Sequence, residues 1–235
     1  MGVSGGPNII RDSSLVLELD AADRNSYPGS GTTWNDMSGN GNNGTLVNGP
    51  AFTSSNGGVI SFDGINDYAI INNSSTLKMG GLSYTGEVWI SITGSSTTER
   101  MIYEYNTWSN SGTYQLTTLT STTISTTFPE AYAVGAQAAT YTYSPLSSNI
   151  WVHISNQFDT TNNALRLYVN GTLTTQITGV TQEIGNITSN LYIMSRAGTS
   201  LFVPAKLGLL RIYNKALSAS EILQNYNATK TRFGL

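Results

Sequence analysis

Hydrophobic and polar positions alternate with a period of two over many short stretches of this chain, the pattern of β-strands that turn one face to a core. The clearest stretch is 84–93, where Val88, Ile90 and Ile92 fall on one face and Glu87, Trp89 and Ser91 on the other. Bulk on both faces predicts a central strand. Residues 151–158 repeat the pattern, with Val152, Ile154, Asn156 and Phe158 against Trp151, His153 and Ser155. Further strands are predicted at 15–20, 59–62, 67–71, 101–105, 114–118, 164–169, 172–177, 191–194 and 207–213. The Thr/Ser-rich stretch 117–127 reads as strand and loop of the same domain, because Leu119, Ile124 and Phe128 recur among β-formers.

Turn chemistry punctuates these strands. Asn170-Gly171 between two alternating runs predicts a hairpin, and Asp63-Gly64 between 59–62 and 67–71 predicts another, since both dipeptides supply the positive φ of a tight turn. Pro28-Gly29-Ser30-Gly31 and the Gly/Asn run 38–44 must be loop. Only one helix is predicted. Ser218 and Glu221 form a capping box, with Leu217 and Ile222 placed as a hydrophobic staple, for a short helix over about 219–226. Residues 1–14 read as an N-terminal arm and 15–235 as one domain without internal repeats. The fold class is all-β: a two-sheet antiparallel β-sandwich, or jelly roll, with one short C-terminal helix.

Composition narrows the function. The chain has 235 residues, of which 11% are charged, and 11 Lys and Arg stand against 14 Asp and Glu for a net charge of -3. With no basic run, nothing favours a nucleic-acid backbone. Cysteine is absent, which excludes disulfides, thiolate zinc sites and thiol nucleophiles. No stretch approaches the roughly 20 apolar residues of a membrane span, and the N-terminal residues do not read as an export signal.

Five blocks, in order, carry a family resemblance: LVLELDAADRNSYPGSGTTWNDMSGNGNNGTL (15–46), ISFDGINDYAII (60–71), YTGEVWISI (84–92), WVHISNQFDTTNNALRLYVNGT (151–172) and LGLLRIYNKALSASEILQNYNATKTRFGL (207–235). Together they resemble the laminin-G-like, concanavalin A-like jelly-roll superfamily over nearly the whole chain. The closing pattern A-L-S-x-x-E-I-x-Q-N-Y-N-A with R-F-G-L is similar to versions in structural proteins of tailed phages. The resemblance implies two facing antiparallel sheets, one concave, ligand sites on the concave face or loop rim, and often a calcium ion. It implies binding more than catalysis.

Several residue sets are candidates for chemistry. Asp36, Asn40 and Asn42, with Ser38 and Asn43, crowd oxygen donors into a Gly-rich loop, and Asp20 could join them, the donor type a Ca2+ ion needs. The other reading of this loop is turn-building. Tyr103, Tyr105 and Trp108 combine flat rings with neighbouring Asn106 and Asn110, the chemistry that stacks on sugars, although Tyr103 and Tyr105 share the parity of a core-facing strand. Tyr27 and Trp34 form an alternative patch, while Trp89 and Trp151 are expected in the sandwich core. His153, the single histidine, is expected as a packed strand residue without a nucleophile elbow to serve. Glu18 and Asp20 resemble part of the E-x-D-x-x-E signature of glucanases, with Asp23 in the last place, and could share a strand face at roughly 6 to 7 Å.

The expected function is a non-enzymatic virion surface protein of a bacteriophage, a capsid decoration or tail-fibre module with a carbohydrate-binding adhesion role. Its partners would be other virion proteins, host-surface glycans and copies of itself, with the arm and Arg232 to Leu235 as contacts. Nucleic acid and membrane insertion are not expected. The alternatives are a glycoside hydrolase using Glu18 and Asp20, or a free soluble lectin.

Overall fold

The computed structural model describes residues 8–94, 98–105, 114–120, 123–128, 137–142, 149–180 and 189–235. The first strands are β1 (Leu15–Asp20), β2 (Thr33–Trp34), β3 (Gly44–Val47), β4 (Ala51–Thr53), β5 (Val59–Asp63), β6 (Tyr68–Ile71), β7 (Tyr84–Ile92) and β8 (Arg100–Tyr105). They are followed by β9 (Tyr114–Thr120), β10 (Thr123–Phe128), β11 (Gln137–Thr142), β12 (Val152–Asp159), β13 (Ala164–Val169), β14 (Thr172–Thr178), β15 (Leu191–Ile193) and β16 (Pro204–Tyr213). Helix α1 (Ala219–Thr229) and a 3-10 turn, Lys230–Phe233, close the chain. None of the described helices is long and apolar enough to cross a membrane.

The strands form two antiparallel sheets. The first runs β14-β13-β12-β7-β16-β5-β4, with β1 also paired to β16, and the second runs β11-β10-β9-β8-β15-β6-β3-β2. The all-β, two-sheet antiparallel sandwich expected from the sequence is the fold observed. Between the sheets lies one core, in which Val88, Ile90 and Ile92 of β7 meet Ile154 and Phe158 of β12 and Tyr103 and Tyr105 of β8. The alternation of 84–93 therefore read its inward face correctly. A polar tie crosses this core: the Tyr103 hydroxyl donates to Asn156 Oδ1, while Asn156 Nδ2 donates to the Tyr84 hydroxyl at 2.9 Å and to Gln115 O at 3.1 Å. Gly86 makes room for it, since a Cβ there would lie 1.9 Å from the Tyr103 hydroxyl.

The Asn170-Gly171 hairpin forms as expected between β13 and β14, with φ of 50° and 75° at the turn. The Asp63-Gly64 hairpin does not. β5 pairs with β16 and β4 in the first sheet, whereas β6 pairs with β15 and β3 in the second. Asp63 Oδ1 accepts from the amides of Ile65 (2.8 Å) and Asn66 (3.2 Å), so the turn exists but carries the chain from one sheet to the other.

The C-terminal helix follows its signals. Ser218 Oγ accepts from the Glu221 amide and Glu221 Oε2 from the Ser218 amide, and Leu217 and Ile222 are buried together with Leu15, Tyr168 and Tyr213. The helix covers the outer face of the first sheet, where a separate cluster forms: Trp89 stacks on Phe233 at 4.3 Å and on Tyr226 at 5.7 Å, and Trp151 meets Phe233 at 4.7 Å. Trp89 and Trp151 are thus not in the sandwich core. Their strand parity points them outward, and the chain's own C-terminus supplies the cover.

Candidate functional site

The loop between β2 and β3 is built around one carboxylate. Asp36 Oδ1 accepts from the amides of Glu18 and Ser38, each at 2.9 Å, and Oδ2 accepts from Ser38 Oγ at 2.7 Å and the Asn42 amide at 3.0 Å. Asn40 Nδ2 donates to Leu15 O (3.2 Å) and Asn42 Nδ2 to Val16 O (2.7 Å), lacing the loop to β1. A carboxylate offers about four lone-pair positions, and all of those on Asp36 are engaged. Asp20 takes no part, because its Oδ1 pairs with Arg232 Nη1 at 2.6 Å and accepts from the Ala22 amide. Among the described residues no three acidic or histidine side chains gather as a metal-binding group. A calcium ion needs six to eight oxygens with their lone pairs available, and this donor set does not fit one.

The same loop makes one wall of a groove of about 390 Å³. Asn40, Asn42 and Asn43 face Asn72, Asn73 and Ser74 across it, with Thr45 and Ile71 between them. The far wall is positioned from below: the Tyr105 hydroxyl donates to Asn73 Oδ1 at 3.0 Å and Ser74 O at 3.3 Å, and Asn190 Oδ1 accepts from the Asn73 amide at 2.9 Å.

Strand register continues the groove onto the outer face of the second sheet. Thr45 lies opposite Ile70, Ile70 opposite Tyr192, and Tyr192 opposite Glu104. Next to this row the rings of Tyr68, Tyr192 and Phe202 form a partly exposed strip, with centroids 6.3 and 6.4 Å apart. The segment that delivers Phe202 holds Met194, Ala197 and Leu201 at φ of 63°, 52° and 53°. Left-handed non-glycine residues cost roughly 1–3 kcal/mol each and cluster at ligand sites.

Residues expected to stack on sugars fall elsewhere. Tyr103 and Tyr105 are fully buried, so neither ring presents a face to solvent, and Trp108 lies outside the described residues. Their parity explains the burial: both point into the sandwich, and only the Tyr105 hydroxyl reaches the groove. Trp34 and Tyr27 are buried against each other, with centroids 6.5 Å apart, and form no surface patch. Nothing in the sequence around Asn72 and Asn73 marks them as a binding wall. Tyr192 carried a usable signal, since it alternates outward between the apolar Leu191 and Ile193, whereas Tyr68 sits between Asp67 and Ala69.

Both carboxylates of the hydrolase reading are in arginine pairs, Asp20 partly exposed and Glu18 closed off. Glu18 is buried, bonded to Arg211 Nε at 3.0 Å and paired with Arg11 Nη2 at 2.7 Å. Its row continues through Arg211 to Glu87 and Ser155 beneath α1. There Asn225 Nδ2 donates to Glu87 Oε2 at 2.8 Å. Burial raises the Glu87 carboxyl to about 7, because desolvation outweighs the attraction of Arg211, whose hydrogen-bonded partner is Glu18. Burial, aided by Arg211, lowers His153 to about 3, so the ring is neutral. His153 packs on Trp89 (5.3 Å) and Tyr226 (5.8 Å), as expected of a strand residue.

A second polar groove, of about 490 Å³, lies beside Leu82, Asp159 and Lys215. Its charges are engaged: Lys215 Nζ holds Asp12 (2.7 Å) and Glu221 (2.9 Å), and Asp159 holds Arg166 (2.7 Å).

The family model for the concanavalin A-like lectin/glucanases superfamily matches residues 63–223. No curated protein matches the chain. Solved structures share the fold at low identity. The binding domain of Paraclostridial Mosquitocidal Protein 1 superposes with a TM-score of 0.71 at 18% identity, covering 92% of this chain and 52% of its own. The Botulinum neurotoxin DC binding domain in complex with SialylT gives 0.72 at 16% identity, covering 92% and 52%. The same toxin domain in complex with rat synaptotagmin II gives 0.73 at 15% identity, covering 94% and 52%. The chain spans about half the length of these domains.

Proposed function

Since this chain belongs to the concanavalin A-like lectin/glucanases superfamily, we propose that it is a non-enzymatic binding module that attaches to host-surface glycans through the asparagine-lined groove and the tyrosine strip beside it. The observation that carries this reading is the juxtaposition itself. Convergent amides with partly exposed rings next to them are what a sugar needs, hydrogen bonds for its hydroxyls and a flat apolar surface for its C–H faces. The similarity to toxin binding domains, one in complex with SialylT and one with synaptotagmin II, supports a role in surface attachment. The engagement of Glu18 and Asp20 in arginine pairs weighs against the hydrolase alternative.

The setting we infer is a phage virion, as a capsid decoration or tail-fibre module held by other virion proteins. That part rests on the closing segment that resembles tailed-phage structural proteins. Several copies on one particle would multiply a weak site into firm attachment.

A glycan array tests the first part: binding is expected, and it should fall in Asn72→Ala, which removes an exposed amide of the groove. Binding to no glycan would refute it. Mass spectrometry of purified particles tests the second, and absence of the chain from virions would refute the phage setting while leaving the binding role intact.

A further inference from the structure

Resting on the glycan reading above, we propose that the groove selects neutral oligosaccharides, binds them without a metal ion, and extends its contact across the second sheet to the Tyr192 ring. The described residues lining the groove carry amides and hydroxyls, with Ile71 turned to the core beneath them, and none of them is ionisable. Asn40 and Asn42 spend their Nδ2 groups on the loop and on β1, so sugar hydroxyls, which both donate and accept, are matched by the exposed amides of Asn43 and Asn72. A carboxylate or sulfate on the ligand would shed water here without meeting a cation, and an unmatched charge is costly to desolvate.

Charges near the groove that could have served an anion or a metal are engaged elsewhere. Asp36, behind the loop, spends both carboxylate oxygens on Glu18, Ser38 and Asn42. Arg196, which reaches Glu104 on the Tyr192 row at 3.7 Å, is also paired with Glu99 at 3.5 Å. Both groups serve the protein's own structure.

Thr45 on the groove, Ile70 and Tyr192 occupy consecutive strands in register. Two strand spacings amount to about 10 Å, so an oligosaccharide seated on the amides lays its next rings over Ile70 and Tyr192.

The experiment is a glycan array with matched neutral, sialylated and sulfated members, read with calcium and again with EDTA, followed by titration of the best neutral member and its component monosaccharide. Neutral members should bind at least about tenfold more tightly than their anionic partners, the effect of roughly one unmatched polar group, and EDTA should change nothing. Tyr192→Ala should weaken the oligosaccharide several-fold and leave the monosaccharide unchanged, while Asn72→Ala should weaken both. Preference for anionic members, or loss of signal in EDTA, would overturn this inference and leave glycan binding standing. An oligosaccharide indifferent to Tyr192→Ala would overturn the extended contact. Binding to no member would overturn both this inference and the reading it rests on. Both side chains lie at the surface, and an unchanged melting temperature of each variant verifies the fold.

Discussion

Replacing Glu87 by Gln should make the protein progressively more stable than the parent as pH rises. Glu87 is fully buried between Arg211, His153 and α1, and its carboxyl is raised from 4.5 to about 7. A raised carboxyl contributes no penalty below its unfolded value, where both states are protonated. The penalty grows from pH 4.5, where the unfolded chain ionises first, to pH 7, where the native group follows. The difference of about 2.5 pK units corresponds to about 3 kcal/mol. Gln is isosteric with the protonated acid and keeps an oxygen for Asn225 Nδ2, the hydrogen bond that ties the helix to the sheet. Urea denaturation of both proteins across this range gives the stability difference at each pH, and every other titrating group cancels in the subtraction. The difference should shift by about 3 kcal/mol in favour of the variant between the two ends of the range. A difference that stays flat with pH would refute the argument that desolvation dominates at Glu87.

Three further outcomes follow from the same structure. His153, lowered from 6.5 to about 3, should show neutral-ring NMR shifts through the ordinary histidine range, and its contribution to stability should be lost as pH falls from 6.5 towards 3. As the single histidine it needs no assignment, and a titration near 6.5 would refute its burial as a neutral ring. Gly86→Ala places a Cβ against the Tyr103 hydroxyl and should cost about 1–3 kcal/mol in denaturant unfolding, through overpacking and loss of the bond to Asn156. A neutral result would mean that this tie between the sheets is slack. Asp36→Ala strands the amides of Glu18, Ser38 and Asn42 and should destabilise by about 2 kcal/mol or more whether or not calcium is present, so a cost seen only with calcium present would refute the turn-building role.

Much of the architecture was legible in the sequence, because a period of two is local information. The alternation over 84–93 and 151–158 marked both strands and separated Val88 and Ile154 from Trp89 and His153 before any pairing was known. Asn170-Gly171 and the Ser218–Glu221 box also act within a few residues, and both formed as read. The loop at 36–43 was found as a cluster of donors, and its turn-building reading is the one its hydrogen bonds follow. What only the tertiary structure decided was non-local. Asp63-Gly64 makes a turn in either topology, and nothing in that dipeptide says that β5 and β6 join different sheets. Alternation puts Trp89 and Glu87 on the face opposite Val88, yet Trp89 was expected in the sandwich core, because nothing local says that α1 and Phe233 will bury that other face. The groove depends on the same kind of meeting, since Asn42 and Asn72 are distant in sequence and face each other only because β3 pairs with β6. Side-chain parity is set by the residues themselves, whereas the partner across each strand or over each face is set by which long-range pairings together bury the most apolar surface.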